Sequence, residues 1–354
     1  MQKIMPYVLF PVLFFLAITA YSDDFTLGIY GVNNPQDIGV VKDAGFNTIQ
    51  TYLKDITVIT KLAEEAKKQD MKIIVYPDNF LKKFNPNTSL GLPVKAWYLF
   101  DEPDVNNISH IELNDLYTKT KHFFPSDKTV FVIGQGKTET NFYDIADILM
   151  VDWYPVPHLK LESLGQQLET AKKELIKIGC KDKPLWAVIQ IFDWREYEQY
   201  RSDNDRIGRF PTKDEIRFMS YDAIFNGATG LFYFIYTSNG IPLPKAKPEN
   251  WKDVQDVVSE LAQVTKIITN GKEIETPQIY NPLRVKTYLY ENTIYMILIN
   301  PTSQNIKADK IFLKKNIDVL FNKERKLKKI IKKSMLPAYS VWILKKSDNI
   351  VKPK

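Results

Sequence analysis

Between residues 25 and 271 the chain switches repeatedly between two hydrophobic rhythms, and this alternation limits its fold more than any other feature. Apolar runs of strand length stand at 25–30, 47–52, 71–76, 96–100, 129–133, 148–151, 185–189 and 230–235. Segments of helical period separate many of them, at 35–44 (closed by Gly45), 56–69 and 111–124. Leu161, Leu164, Leu168, Ala171, Leu175 and Ile178 mark another helix, and Trp251, Val254, Val257, Val258, Leu261 and Val264 mark the last. Thr212 and Glu215 have capping-box spacing at the start of the helix before the eighth run. Apolar strands alternating with helices pair in parallel, because a parallel neighbour can be reached only by a long crossover.

Eight such units within residues 23–271 predict an α/β fold, a (β/α)8 TIM barrel, which typically takes about 250 residues. The turn Tyr30-Gly31-Val32-Asn33-Asn34-Pro35 has no Gly-x-Gly-x-x-Gly, which argues against an open dinucleotide-binding sheet. After Gly271 the pattern changes to short strands at 285–290, 293–299, 311–313, 318–321 and 340–344. Residues 272–354 are therefore expected to form a small C-terminal antiparallel β-sandwich-like domain, with Lys323 to Lys333 as a solvated hairpin.

At the other end, Lys3 precedes an apolar stretch over 4–20, and Ala20-Tyr21-Ser22 offers small residues before Asp23. Residues 1–22 read as a signal peptide cleaved near Ser22, with an uncleaved anchor as the alternative. The expectation is a secreted or periplasmic protein with no stable membrane insertion after cleavage. One cysteine, Cys180, and three histidines, His110, His122 and His158, argue against a disulfide framework and a metal centre. The net charge of +6 comes mainly from dispersed lysine, with no basic helix carrying interleaved aromatics, so no nucleic-acid partner is expected. No cofactor motif is present.

In a barrel of this kind the chemistry collects where the strands end. Those positions hold Tyr52, Asp78, Asp101, Glu102, Gln135, Asp152, Tyr154, Gln190, Asp193 and Tyr236, with Trp153 and Trp194 beside them. Such a rim suits a polyhydroxylated ligand, since carboxylates and amides bond to hydroxyls while aromatic faces pack on a sugar ring. Trp97 and Trp186 lie inside strands and are expected in the core. The strongest local signal is Trp97-Tyr98-Leu99-Phe100-Asp101-Glu102-Pro103-Asp104, an apolar strand that ends abruptly in two carboxylates. Desolvation of Glu102 there would favour its protonated form, as a general acid requires.

This stretch resembles the Asp-Glu-Pro that ends the fourth strand of clan-A-like barrel glycoside hydrolases. Asp152-Trp153-Tyr154-Pro155 and the stretch from Gly227 to Phe234 are similar to segments of secreted bacterial relatives. The resemblance implies a carbohydrate substrate, with Glu102 as acid/base. It departs from the clan at strand seven, where Gln190 stands in place of a nucleophilic glutamate and cannot form a glycosyl ester. Four readings stay open: Asp193 or Glu196 supplies the second carboxylate, Asp152 acts as base for water, Asp101 positions an N-acetyl group as internal nucleophile with help from Tyr154, or the chain binds glycans without cleaving them.

Overall fold

The computed structural model describes residues 25–134, 142–197, 208–275, 282–307, 317–321 and 335–346. Residues 1–22, Gln135, the run at 311–313 and Lys323 to Lys333 lie outside them. Eight parallel strands close into a barrel in chain order: β1 Thr26–Ile29, β2 Thr48–Gln50, β3 Lys72–Val75, β4 Val94–Asp101, β5 Thr129–Ile133, β6 Ile148–Asp152, β7 Leu185–Gln190 and β8 Gly230–Phe234, which pairs back to β1. The helices around it are α1 Ile38–Asp43, α2 Ile56–Lys68, α3 Asp78–Lys83, α4 His110–Phe123, α5 Ser163–Lys177, α6 Lys213–Phe225, the single turn α7 Leu243–Ala246, and α8 Pro248–Asn270. A two-strand hairpin, β9 Thr237–Ser238 and β10 Ile241–Pro242, follows β8. The expected TIM barrel is thus present.

Strand alternation sorts the core into two layers. Ile74, Ala96, Tyr98, Val130, Val132, Ile148, Met150, Trp186, Val188 and Phe232 fill the barrel interior together with Tyr30. Their neighbours in sequence, such as Ile73, Trp97, Leu149 and Leu231, face the helices. Gly28 and Gly230 make room for this bulk: a Cβ on Gly28 would stand 2.2 Å from the Phe232 ring, and one on Gly230 would stand 2.6 Å from Trp186. The helices start where their sequences cap them. Asp55 accepts from the amides of Thr57 and Val58, while Ser109 with Glu112 and Thr212 with Glu215 form full capping boxes. Each such cap is worth about 1 kcal/mol.

The C-terminal strands are β11 Lys272–Ile274, β12 Arg284–Tyr290, β13 Thr293–Ile299, β14 Ile306–Lys307, β15 Ile317–Leu320, β16 Met335–Leu336 and β17 Val341–Lys346. Five form one antiparallel sheet in the order β11–β12–β13–β17–β15, and β14 pairs with β16. One face of the large sheet, with Ile297, Ile299, Val341 and Ile343, joins the core of the barrel's helical layer. The other face, with Met296, Leu298, Trp342 and Leu344, packs with Leu283 and Leu336. Buried polar ties reinforce the junction. Arg217 of α6 pairs with Glu260 of α8 at 2.8 Å and donates to the Val341 carbonyl at 2.7 Å.

Asp222 of α6 lies in the same junction, 3.4 Å from Arg284 of β12. Burial pushes its carboxyl up to about 7, against the opposing pull of Arg284. The fold therefore favours the protonated form. Its stabilising contribution is complete below the ordinary aspartate range and is lost as pH rises through about 7. The thermal midpoint is expected to fall between pH 5 and pH 8, and to fall less in Asp222→Asn. Parallel melting curves for the two proteins check this, and an equal pH slope in both would overturn it.

Candidate active site

Three local irregularities bring two consecutive carboxylates to the mouth of the barrel. Simple alternation along β4 would place residues 96, 98, 100 and 102 on the inner face. The pairing of β4 with β5 instead shifts register between Tyr98 and Asp101. Phe100 consequently packs with the outer layer, and Asp101 returns to the side of Tyr98, whose hydroxyl donates to Asp101 Oδ1 at 2.7 Å. Glu102 then adopts a left-handed backbone, φ +50°. For a non-glycine residue this costs on the order of 1–3 kcal/mol and is tolerated where the surroundings fix it. Here the Glu102 amide donates to the Val132 carbonyl at 3.1 Å, and its carbonyl accepts from the amides of Val105 and Asn106.

The third irregularity is an absence of side chain. Gly134, just beyond β5, continues the inward positions Val130 and Val132, and a Cβ there would sit 2.6 Å from Glu102 Oε1. The Glu102 carboxyl passes through this gap, over the end of β5, and reaches Asp152 at the end of β6. The two carboxyls are within hydrogen-bond contact. Asp152 Oδ1 is buried with no donor from any other residue, and Asp152 Oδ2 accepts from Tyr154 Oη at 3.2 Å. Two carboxylates in contact require a proton between them, because the doubly ionised pair is repelled and poorly solvated. Burial raises the Asp152 carboxyl strongly, and the charge of Glu102 raises it further. Glu102 is raised mainly by burial too; the hydrogen bond from Asp152 pulls it back, and the charges of Asp101 and Asp104 add to the rise, so the shared proton is favoured on Asp152. The pair holds its proton at a pH where isolated carboxyls have lost theirs.

Tyrosines pack beside the acids, Tyr30 and Tyr98 in the barrel interior and Tyr52 and Tyr76 at its rim. Tyr30, Tyr52, Tyr76 and Tyr98 form a continuous cluster with ring centroids 5.1–6.3 Å apart. At the ends of β2, β3 and β4 a cavity of about 550 Å³ is lined by Tyr52, Lys54, Tyr76, Asp78, Phe100 and Asp101 among others. Asp78 starts α3 and is exposed. On the opposite side Tyr154 touches Phe192, Trp194 and Phe234, all within 6.0 Å between centroids. Tyr30 and Tyr98, which the sequence reading did not single out, are signalled by inward parity on β1 and β4.

Several expected residues have other engagements. Gln190 is fully buried, and its amide accepts from the Val156 amide at 2.9 Å and donates to the Val156 carbonyl at 2.8 Å, fixing the loop after β6 rather than facing a ligand. Asp193 is held by Arg195 at 2.6 Å. Burial pushes it up, but the Arg195 bonds outweigh this and leave it below the usual carboxylate range. Glu196 is paired with Lys247. Trp153 packs with the outer layer and donates to Ser163 Oγ at 2.9 Å, as expected for the residue after an inward Asp152. Tyr236 is buried against Trp251 rather than lining the mouth. Gln135 lies outside the described residues. Among those residues no group of three or more His, Cys, Asp or Glu has metal-binding geometry.

No family model matches the chain, and no curated protein matches it in sequence. Solved structures do match it in architecture. An α-amylase of Geobacillus thermoleovorans, solved with acarbose, aligns over 93% of this chain and 99% of its own, with TM-score 0.52 and 13% identity. A family 30 endoxylanase of Clostridium papyrosolvens aligns over 92% and 96%, with TM-score 0.51 and 12% identity. An α-amylase of Anoxybacillus aligns over 93% and 99%, with TM-score 0.52 and 11% identity. The fold is that of these barrel glycoside hydrolases. At such identities the likeness is one of architecture, and the chemistry rests on this chain's own residues.

The shared proton can be tested without a substrate. Asp152→Asn keeps a donor beside Glu102 but removes the more strongly raised carboxyl, so the upper titration step of the pair should disappear by carbon NMR. Persistence of that upper step would rule out proton sharing. Gly134→Ala should displace the Glu102 carboxyl and lower the upper step. Its stability, read from denaturant unfolding, should change little, since the clash falls on the far end of a flexible side chain.

Proposed function

We propose that the chain is a glycoside hydrolase acting on an oligo- or polysaccharide outside the cytoplasm, with Glu102 as the proton donor. The observation that carries this reading is the contact of the Glu102 and Asp152 carboxyls at the barrel mouth, next to Asp101, which lines a cavity with Tyr52 and Tyr76. The names of the similar structures, amylases and a xylanase, support a sugar polymer as the substrate class. Export through residues 1–22 belongs to the same proposal. Among the described residues no helix is long and apolar enough to cross a membrane.

In this reading the Glu102 proton passes to the glycosidic oxygen as the bond to the anomeric carbon breaks. Water adds its hydroxide to that carbon, and its remaining proton restores the Glu102–Asp152 pair. Asp152 is not the base of an inverting enzyme, because such carboxyls stand about 6.5–9.5 Å apart and leave room for water, whereas these two touch. Nor does it stand across the sugar at the roughly 5–5.5 Å used for retention. In this reading Asp152, the more strongly raised of the two, stores the proton that Glu102 passes on. Asp101, oriented by Tyr98, is the carboxylate that remains to contact the substrate.

Gln190 supports a second reading, a glycan-binding protein that does not cleave, since its structural role leaves no carboxylate at the end of β7. One comparison separates the two. Glu102→Gln should lower turnover on a cleaved glycan by about 10²–10⁴-fold, the range for removing a general acid, while binding persists. Full activity in that variant would overturn the assignment. Binding by the wild type with no sugar released across a broad glycan panel would favour the second reading.

A further inference from the structure

The mouth of the barrel has an electrostatic imbalance that a neutral sugar does not resolve. The chain as a whole carries a net charge of +6. Yet Asp101, Glu102 and Asp152 lie together with no lysine, arginine or histidine in salt-bridge contact among the described residues. The cations on the β7–β8 side are already used, Arg195 by Asp193 and Lys247 by Glu196. One shared proton neutralises part of the Glu102–Asp152 pair, and Asp101 is left as the half-buried carboxylate that lines the cavity. Its Oδ1 is fixed by the Tyr98 hydroxyl at 2.7 Å, which is itself 3.2 Å from the Tyr30 hydroxyl. No donor among the described residues reaches its Oδ2.

We infer, on the hydrolase reading above, that the sugar seated against Asp101 carries a free amino group, so that the substrate is a cationic aminosugar oligomer. The geometry meets what an ammonium needs. A carboxylate held by the Tyr98 hydroxyl lines the cavity together with Tyr52 and Tyr76, whose rings suit an ion pair beside them. Asp78 lines the same wall but is exposed and screened by solvent, which leaves Asp101 as the pairing carboxylate. Hydroxyls of a neutral sugar would bond to Asp101 but would leave its charge desolvated and uncompensated as the cavity closed over it. An acidic sugar would be repelled. Lys54 and Lys82 also line the cavity, but both side chains are exposed to solvent, where water and salt screen them.

Calorimetric titration of the full chain carrying Glu102→Gln, which stops turnover, separates the outcomes. The probes are a fully de-N-acetylated glucosamine hexamer, its N-acetylated counterpart and a cello-hexaose. The amine is expected to bind about tenfold or more tightly than either neutral oligomer, with the advantage shrinking as salt rises and disappearing on further substitution Asp101→Asn. Salt dependence in the Glu102→Gln protein alone reads the same ion pair if the double variant fails to fold. Equal or weaker binding of the amine, or a preference that salt does not alter, overturns the inference. The two readings fail separately. Cleavage of neutral glycans by the wild type with no amine preference sinks only the aminosugar, whereas Asp101-dependent binding of the amine with no cleavage of any oligomer sinks the hydrolase.

Discussion

The contact between the Glu102 and Asp152 carboxyls is the constraint around which the barrel mouth is arranged. Two acids at this distance in a buried setting are tolerable only with a proton held between them. The chain maintains that arrangement through backbone choices as much as through side chains. The shifted register in β4 brings Asp101 inward, a left-handed Glu102 turns the next carboxyl inward as well, and Gly134 leaves the space through which it passes. Each feature alone would count as a local defect. Together they deliver consecutive acidic residues of one strand to the same side of a sheet, which alternation otherwise forbids.

The rest of the molecule gives this arrangement a rigid base. Beneath the two acids the barrel is filled by aromatic bulk, with Trp186 stacked on Phe232 and Tyr30 meeting Tyr98, Phe232 and Phe234. The glycines at 28 and 230 are the counterpart of that bulk. Gln190 belongs to the same framework. Its amide satisfies both backbone groups of Val156, and so fixes the loop that leaves β6 just after Asp152 and Tyr154. A residue at the position where a nucleophile was sought thus holds the loop beside the carboxyl that Glu102 meets. The C-terminal sheet shares core with α6 and α8 instead of standing apart, so the helices behind β7 and β8 are packed on both sides.

Much of this was legible in the sequence. The eight strands, the change of pattern after Gly271 and the Thr212–Glu215 cap follow from periodicity and local chemistry, which act within a few residues. Inward parity also places Tyr52, Tyr76, Asp152 and Gln190 on the correct face, and the same parity counts against Trp153, the neighbour of Asp152. The register shift was not legible. It depends on how β4 meets β5, so the fate of Phe100 and Asp101 is decided by a partner strand that their own sequence does not reveal. The role of Gly134 was hidden for the same reason, since a glycine that closes a strand and a glycine that makes room for a distant carboxyl look alike in one dimension. Tyr236 was misplaced because the chain turns after β8, where its amide bonds to the Tyr30 carbonyl, and the ring folds back onto Trp251.

These observations also explain why the two acids need not be matched by a third across the cleft in order to be useful. A lone glutamate at a wet barrel rim would be ionised near neutral pH and unable to donate. Burial raises its proton affinity, and a second, deeper carboxyl, raised more strongly by burial and by the Glu102 charge, holds a proton beside it. Evolution of such a pair costs backbone strain at Glu102 and forgoes a side chain at position 134. Asp101 completes the arrangement. It is tied to the buried tyrosines rather than to an arginine, and it lines the cavity with no cation in salt-bridge contact among the described residues.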